Sequence, residues 1–266
     1  MTALHEVFAR ARAEGRAALI GYLPSGFPTQ AEGIDLARDI VAAGVDIVEV
    51  GLPYSDPLMD GPVIQAAVHQ AMTHGSSLAN VLATVGAVAQ TGAPTLVMSY
   101  WNPIERVGVT SFAERLARSG GAGVITPDLT PEEAADWIAA TAATHLSRVF
   151  LVAPSSTDAR IKAVSAVTDG FVYAASTMGV TGARASVGQG ARALVERVRG
   201  FTDLPVAVGL GVSSGAQAAE VAEYADGVIV GSAFIARILE AADHEAARAS
   251  VHALATELAE GVRGGA

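Results

Sequence analysis

Eight short apolar runs, each separated from the next by a segment with helical spacing, constrain this chain more than any other feature. They begin at Ala17-Ala18-Leu19-Ile20-Gly21-Tyr22-Leu23 and continue with Val45–Gly51, Thr95–Ser99 and Gly123-Val124-Ile125-Thr126. Arg148-Val149-Phe150-Leu151-Val152, Gly170-Phe171-Val172-Tyr173, Leu204–Val208 and Gly227-Val228-Ile229-Val230 complete the set. Runs this apolar, with little alternation, read as parallel strands covered on both faces. The intervening segments supply the cover. A helix capped by Thr29 runs to Ala43, and others lie near 62–72, 77–90 and 110–119. Pro131-Glu132-Glu133 opens a further helix, with acids at its positive end, and Asp158–Val167 forms another. Eight strand–helix units predict a single (β/α)8 TIM barrel, with a doubly wound open sheet as the alternative. Leu4, Val7, Phe8 and Ala11 add an N-terminal helix over 3–14 before the first strand.

Length and punctuation agree with this reading. The chain has 266 residues, about the size of one barrel, and no linker breaks it, so residues 1–266 are expected to form one domain. Ala43-Gly44-Val45-Asp46, Gly121-Ala122-Gly123-Val124 and Ala225-Asp226-Gly227-Val228 repeat one device, a small residue ending a helix just before a strand. Hydrophobic residues make up 51% of the chain and aromatics only 5%, so Ala, Val, Leu and Ile must fill the core. The net charge is −10 without a basic cluster, which argues against nucleic acid or an anionic membrane as partner. The absence of cysteine excludes disulfides, thiolate metal sites and a Cys nucleophile. The charged N-terminus has no signal-peptide core, and no apolar run could span a membrane, so a cytoplasmic location is expected.

The second run contains the anomaly. Glu49 sits among Ile47, Val48 and Val50, where a carboxylate is costly to bury. Leu52-Pro53-Tyr54-Ser55-Asp56-Pro57-Leu58-Met59-Asp60-Gly61-Pro62 follows it, too long for a simple connection. In this fold the working groups sit at the C-terminal ends of strands and on the loops beyond them. Glu49 and Asp60 therefore read as a carboxyl pair with divided labour, one buried and exchanging protons, one ionised and orienting. A satisfied buried acid and a loop residue or helix cap are the plainer readings of the same two positions. Asp56, between prolines, reads as a turn or interface residue.

Three late loops are glycine-rich. They are Gly179-Val180-Thr181-Gly182, Gly209-Leu210-Gly211-Val212-Ser213 and Gly231-Ser232, the last opening a helix. Backbone N–H groups that approach closely, beside a helix N-terminus, suit a phosphate. No Lys or Arg stands in the seventh or eighth run, so backbone amides and Ser232 would do the holding. His5, His69, His74, His145, His244 and His252 fall in helices or at their ends and receive no role. No metal-ligand spacing occurs, and a Walker lysine is absent.

Val48 to Pro62 as a whole resembles the second-strand signature of the tryptophan synthase α subunit family. Gly179–Ala183, Gly209–Ser213, Gly231-Ser232-Ala233, Ser99-Tyr100-Trp101-Asn102-Pro103 and Pro127-Asp128-Leu129 are similar to its other loops, in order. The resemblance implies retro-aldol cleavage of indole-3-glycerol phosphate to indole and glyceraldehyde 3-phosphate. It implies Glu49 as acid–base catalyst and Asp60 as partner of the indole N–H. Gly182, Gly211, Gly231 and Ser232 would hold the phosphate. Tyr22, Met98, Ile125, Val152, Tyr173 and Leu210 would line the indole slot, and Thr181 would lie on a closing loop. It further implies no cofactor in this subunit, and a β subunit carrying pyridoxal phosphate in an α2β2 heterotetramer. Phe27, where the family often has Asp, and Thr177, where it often has Arg, depart from the pattern and bear on loop closure and contact with β. The competing functions are another phosphate-binding barrel enzyme, a sugar-phosphate isomerase or epimerase, and a non-catalytic regulatory partner of β.

Overall fold

A computed structural model describes residues 2–175, 189–209 and 211–264 of the chain. Its first half runs α1 (Ala3–Ala13), β1 (Ala18–Pro24), α2 (Gln30–Ala42), β2 (Ile47–Gly51), α3 (Pro62–Thr73), α4 (Leu78–Ala89), β3 (Thr95–Met98), α5 (Trp101–Val107), α6 (Val109–Arg118) and β4 (Gly123–Ile125). A 3₁₀ turn over Pro131–Glu133 precedes α7 (Ala135–Thr144), β5 (Ser147–Val149), β6 (Leu151–Val152), α8 (Asp158–Val167) and β7 (Val172–Ala175). The chain ends with α9 (Gln189–Arg199), β8 (Val206–Gly209), α10 (Gly215–Ala222), β9 (Gly227–Val230), α11 (Ser232–Glu240) and α12 (His244–Val262).

Local chemistry explains the boundaries. Thr29, Ser77, Thr157, Ser214 and Asp243 each cap a helix by accepting a backbone N–H with the side chain. Pro62 enters α3 at its first turn, where a missing N–H costs nothing. The sequence reads Tyr100–Pro103 as a loop, but α5 begins at Trp101; Pro103 is tolerated because it falls within the first turn. The sixth strand starts at Val172 rather than Gly170, because Gly170 takes φ 121°, a turn conformation.

All strand pairs are parallel, in the order β5-β4-β3-β2-β1-β9-β8-β7-β6. The two outermost segments are halves of one strand, interrupted at Phe150. Val149 pairs with Ile125 on one side, and Leu151 pairs with Tyr173 on the other. Tyr173 donates its N–H to the Phe150 carbonyl at 3.2 Å, so the sheet passes through this residue and the barrel closes on eight strands.

Strand parity divides the core. Ile20, Ile47, Leu96, Ile125, Val149, Phe171, Ala207 and Ile229, one from each strand unit, pack as an inner cluster. Leu4, Val7, Phe8 and Ala11 of α1 close it from below, with the Phe8 and Phe171 ring centroids 5.5 Å apart. The alternate residues, among them Leu19, Val48, Val50, Val97, Val124, Phe150, Val172, Val208 and Val228, face the helices. Burying both faces makes the strand runs continuously apolar and leaves the open end of the barrel for polar work.

Candidate active site

At that open end, β2 carries Glu49 inward between the outward-facing Val48 and Val50, in register with Tyr22 of β1 and Leu96 of β3. Glu49 is 1% exposed, and its Oε1 has no hydrogen-bond partner among the described residues. Burial alone pushes its carboxyl up to about 8, so it is protonated at neutral pH. This is a proton donor held in a dry site.

Asp60 lies on the segment between β2 and α3, ahead of the helix cap at Gly61. The Tyr100 hydroxyl donates to its Oδ1 at 3.1 Å and accepts the Met59 N–H at 3.0 Å. Burial raises the Asp60 carboxyl above its ordinary value, and the Tyr100 hydrogen bond pulls it back toward the ionised form. The Gln65 side chain also donates to the Asp60 carbonyl at 2.7 Å, and the Tyr54 ring lies 5.6 Å from that of Tyr100. The long segment after β2 is thus tied to the end of β3. Asp56 is exposed and accepts the neighbouring Ser55 hydroxyl, while Leu58 is 73% exposed.

Two further tyrosines stand among these acids. Tyr22 is buried and Tyr173 half-buried, and loss of water around the rings raises both phenols well above their ordinary range, with Asp60 and Glu49 adding to it. Space for the rings comes from glycine. A Cβ on Gly51 would strike the Tyr22 ring, and one on Gly209 would strike the Tyr173 ring. On the rim beyond β9, the neighbour of β1, Gly231 precedes α11 and Ser232 is buried at its first position. Gly211 adopts φ 67°, a conformation that favours glycine.

The structure therefore brings Glu49, Asp60, Tyr22, Met98, Ile125 and Tyr173 onto the inner face or the mouth of the barrel, with Gly211, Gly231 and Ser232 on its rim. Ile125 sits one layer deeper, within the inner apolar cluster. Val152 is not among them. It pairs with Ala174 and belongs to the outer core, whereas Leu151 packs on the inner cluster beside Tyr173. Gly182, Thr181 and Leu210, together with Thr177, lie outside the described residues. Sequence reasoning gave no role to Tyr100, although an aromatic hydroxyl directly after a strand was a visible signal. The histidines sit within α1, α3 and α12 or directly after α3 and α7. Among the described residues, no group of three or more His, Cys, Asp or Glu could hold a metal, and no helix is long and apolar enough to cross a membrane.

The fold and the buried acid at its mouth define a (β/α)8-barrel enzyme. A family model described as tryptophan synthase alpha chain matches residues 8–263. The tryptophan synthase alpha chain of Thermobifida fusca is 58% identical, with all of both chains covered. That of Mycobacteroides abscessus is 56% identical over 98% of this chain and 97% of the relative. Among solved structures, Mycobacterium tuberculosis tryptophan synthase superposes with a TM-score of 0.93 at 52% identity, covering 98% of each chain. The alpha subunit from Legionella pneumophila keeps a TM-score of 0.89 at 30% identity, again with 98% of each chain covered. The chain belongs to the tryptophan synthase alpha chain family.

Proposed function

We propose that this chain performs the α reaction of its family, cleaving indole-3-glycerol phosphate into indole and glyceraldehyde 3-phosphate, with Glu49 and Asp60 as its working pair. The observation that carries the assignment is the Glu49 carboxyl, buried, without a partner on Oε1 among the described residues, and shifted up to about 8. An indole carbanion is a poor leaving group, so the ring must be protonated at C3 before the bond breaks. Glu49 in its neutral form donates that proton, and the positive charge spreads to the ring nitrogen. Asp60 accepts the indole N–H and stabilises this charge. The Glu49 carboxylate then takes the proton of the glycerol hydroxyl next to the ring. The O–H electrons become the aldehyde C=O, the carbon–carbon pair returns to the indole, and Glu49 is neutral again. No step requires a metal or a bound cofactor.

Gly182, Gly211, Gly231 and Ser232 hold the phosphate in this reading, through backbone amides and the start of α11. Tyr22, Met98, Ile125, Tyr173 and Leu210 line the indole slot, and Leu151 takes the place first given to Val152. Thr181 belongs to the loop that closes over substrate. A β subunit receives the indole, and pyridoxal phosphate belongs to that partner; an α2β2 heterotetramer, a single domain over residues 1–266 and a cytoplasmic location complete the proposal. Asp56 and the exposed Leu58 suit the contact with β. The test is indole release from indole-3-glycerol phosphate, with and without added β subunit. Release by the isolated chain, accelerated by β, is the expected result; no release under either condition overturns the assignment.

A further inference from the structure

Tyr22 forms a wall of the slot, yet its position allows more than packing. The residue points inward from β1 and faces Glu49 across the ladder to β2. A Cβ on Gly231 would lie 3.1 Å from Cδ1 and 3.3 Å from Cβ of Tyr22. A Cβ on Gly51 would instead strike the Tyr22 hydroxyl and the ring carbons next to it. Gly231 belongs to the rim beside α11, whereas Gly51 ends the strand that carries Glu49. The ring therefore lies across the mouth, its base against the phosphate side and its hydroxyl on the carboxyl side.

The hydroxyls of Tyr100 and Tyr22 differ in occupancy. That of Tyr100 is used twice, toward Asp60 and from Met59. That of Tyr22 makes no hydrogen bond among the described residues, although the side chain is 8% exposed. A ligand hydroxyl laid against this phenol would meet a donor and acceptor that has no partner among the described residues. A substrate anchored by its phosphate at Ser232 and by its ring between Glu49 and Asp60 must run its three-carbon chain over this ring.

We propose that Tyr22 is a specificity-determining residue that reads the diol of the substrate, its hydroxyl hydrogen-bonding a hydroxyl of the glycerol chain between the phosphate rim and the carboxyl pair. The inference rests on the proposed function. It gives the site a preference for a hydroxylated chain that neither the phosphate loops nor the apolar slot can supply. A site that offers a hydrogen bond penalises the analogue lacking its partner, whereas a purely apolar wall discriminates little.

The experiment is Tyr22→Phe, which keeps the ring and its packing. Two quantities are compared in wild type and variant: kcat/KM for indole-3-glycerol phosphate, and the inhibition constant of an indole carrying an unsubstituted propyl phosphate, which has no hydroxyls. Loss of one neutral hydrogen bond should lower kcat/KM about tenfold. Inhibition by the hydroxyl-free compound should not weaken, since it makes no such bond to lose. Equal losses for both compounds would mean a merely structural role, and no loss for either would mean an unused hydroxyl; both overturn the proposal. Unchanged inhibitor binding also reports that the variant is folded. A wild-type chain that releases no indole overturns the functional reading itself, while an active wild type leaves the variant alone to decide.

Discussion

The two ends of this barrel treat buried carboxyls in opposite ways. At the bottom, Asp46 accepts both guanidinium nitrogens of Arg16, at 2.7 and 2.8 Å, and the Leu19 N–H at 2.9 Å. Its own N–H donates to the Leu19 carbonyl at 2.8 Å. Asp226 repeats the device one strand pair away, accepting the Val206 N–H at 2.9 Å and the Arg199 guanidinium at 3.2 Å, while its N–H reaches the Val206 carbonyl. Arg10 and Arg12 of α1 approach the same two aspartates at 3.6 Å, tying the plugging helix to both. At the mouth, Glu49 has no such partner on Oε1 among the described residues, and Asp60 has one phenol. Paired groups hold strands in place. Unpaired ones keep a proton available, at the expense of a desolvated acid.

This contrast can be broken first at Glu49. Glu49→Gln should reduce indole release by about 10³-fold, the scale of a lost general acid–base. The same variant should become progressively more stable than wild type as pH rises. A carboxyl whose folded pKa is raised binds more protons folded than unfolded, so its ionisation erodes stability between the ordinary 4.5 and about 8. The gain in a urea midpoint series should approach roughly 5 kcal/mol at the alkaline end, because each tenfold difference in proton affinity is worth about 1.4 kcal/mol. A stability difference flat across that range would mean that Glu49 is not held neutral by the fold.

Asp60→Asn comes next, lowering kcat by a factor equivalent to roughly 2–4 kcal/mol of charge stabilisation, with the fold intact. A loss below about threefold would remove the role given to that carboxylate. Asp46→Ala should show the reverse pattern at the other end. Breaking its bidentate pair leaves the Arg16 guanidinium, 5% exposed, with Glu14 and the Ala17 carbonyl as its partners among the described residues, a loss of about 3 kcal/mol in unfolding free energy with kcat nearly unchanged. A collapse of turnover without loss of stability would show that the two ends are not separable. The smallest effect belongs to Tyr100→Phe, which keeps the ring against Tyr54 and deletes the bond to Asp60 together with the one accepted from the Met59 N–H. It should lower kcat by about three- to tenfold, measured with the same assay.

The sequence alone determined the repeat, and with it the barrel. Eight apolar runs and their caps are local facts, and the burial of both faces of a parallel sheet leaves few other ways to assemble them. It also located Glu49, because a carboxylate inside an apolar run stands out without any knowledge of neighbours. Other features needed the folded chain. An apolar run without alternation carries no parity, so Val152 and Leu151 could not be told apart until the register of Leu151 with Tyr173 and Val152 with Ala174 set which one faces inward. The partnership of Asp60 with Tyr100 joins positions 40 residues apart through a closed sheet. The ring of Tyr22 crosses from Gly231 to Gly51 only because β1 lies between β9 and β2. Patterning decides which surfaces must be buried; closure of the barrel decides which side chains meet at its mouth, because that meeting depends on register between strands rather than on order along the chain.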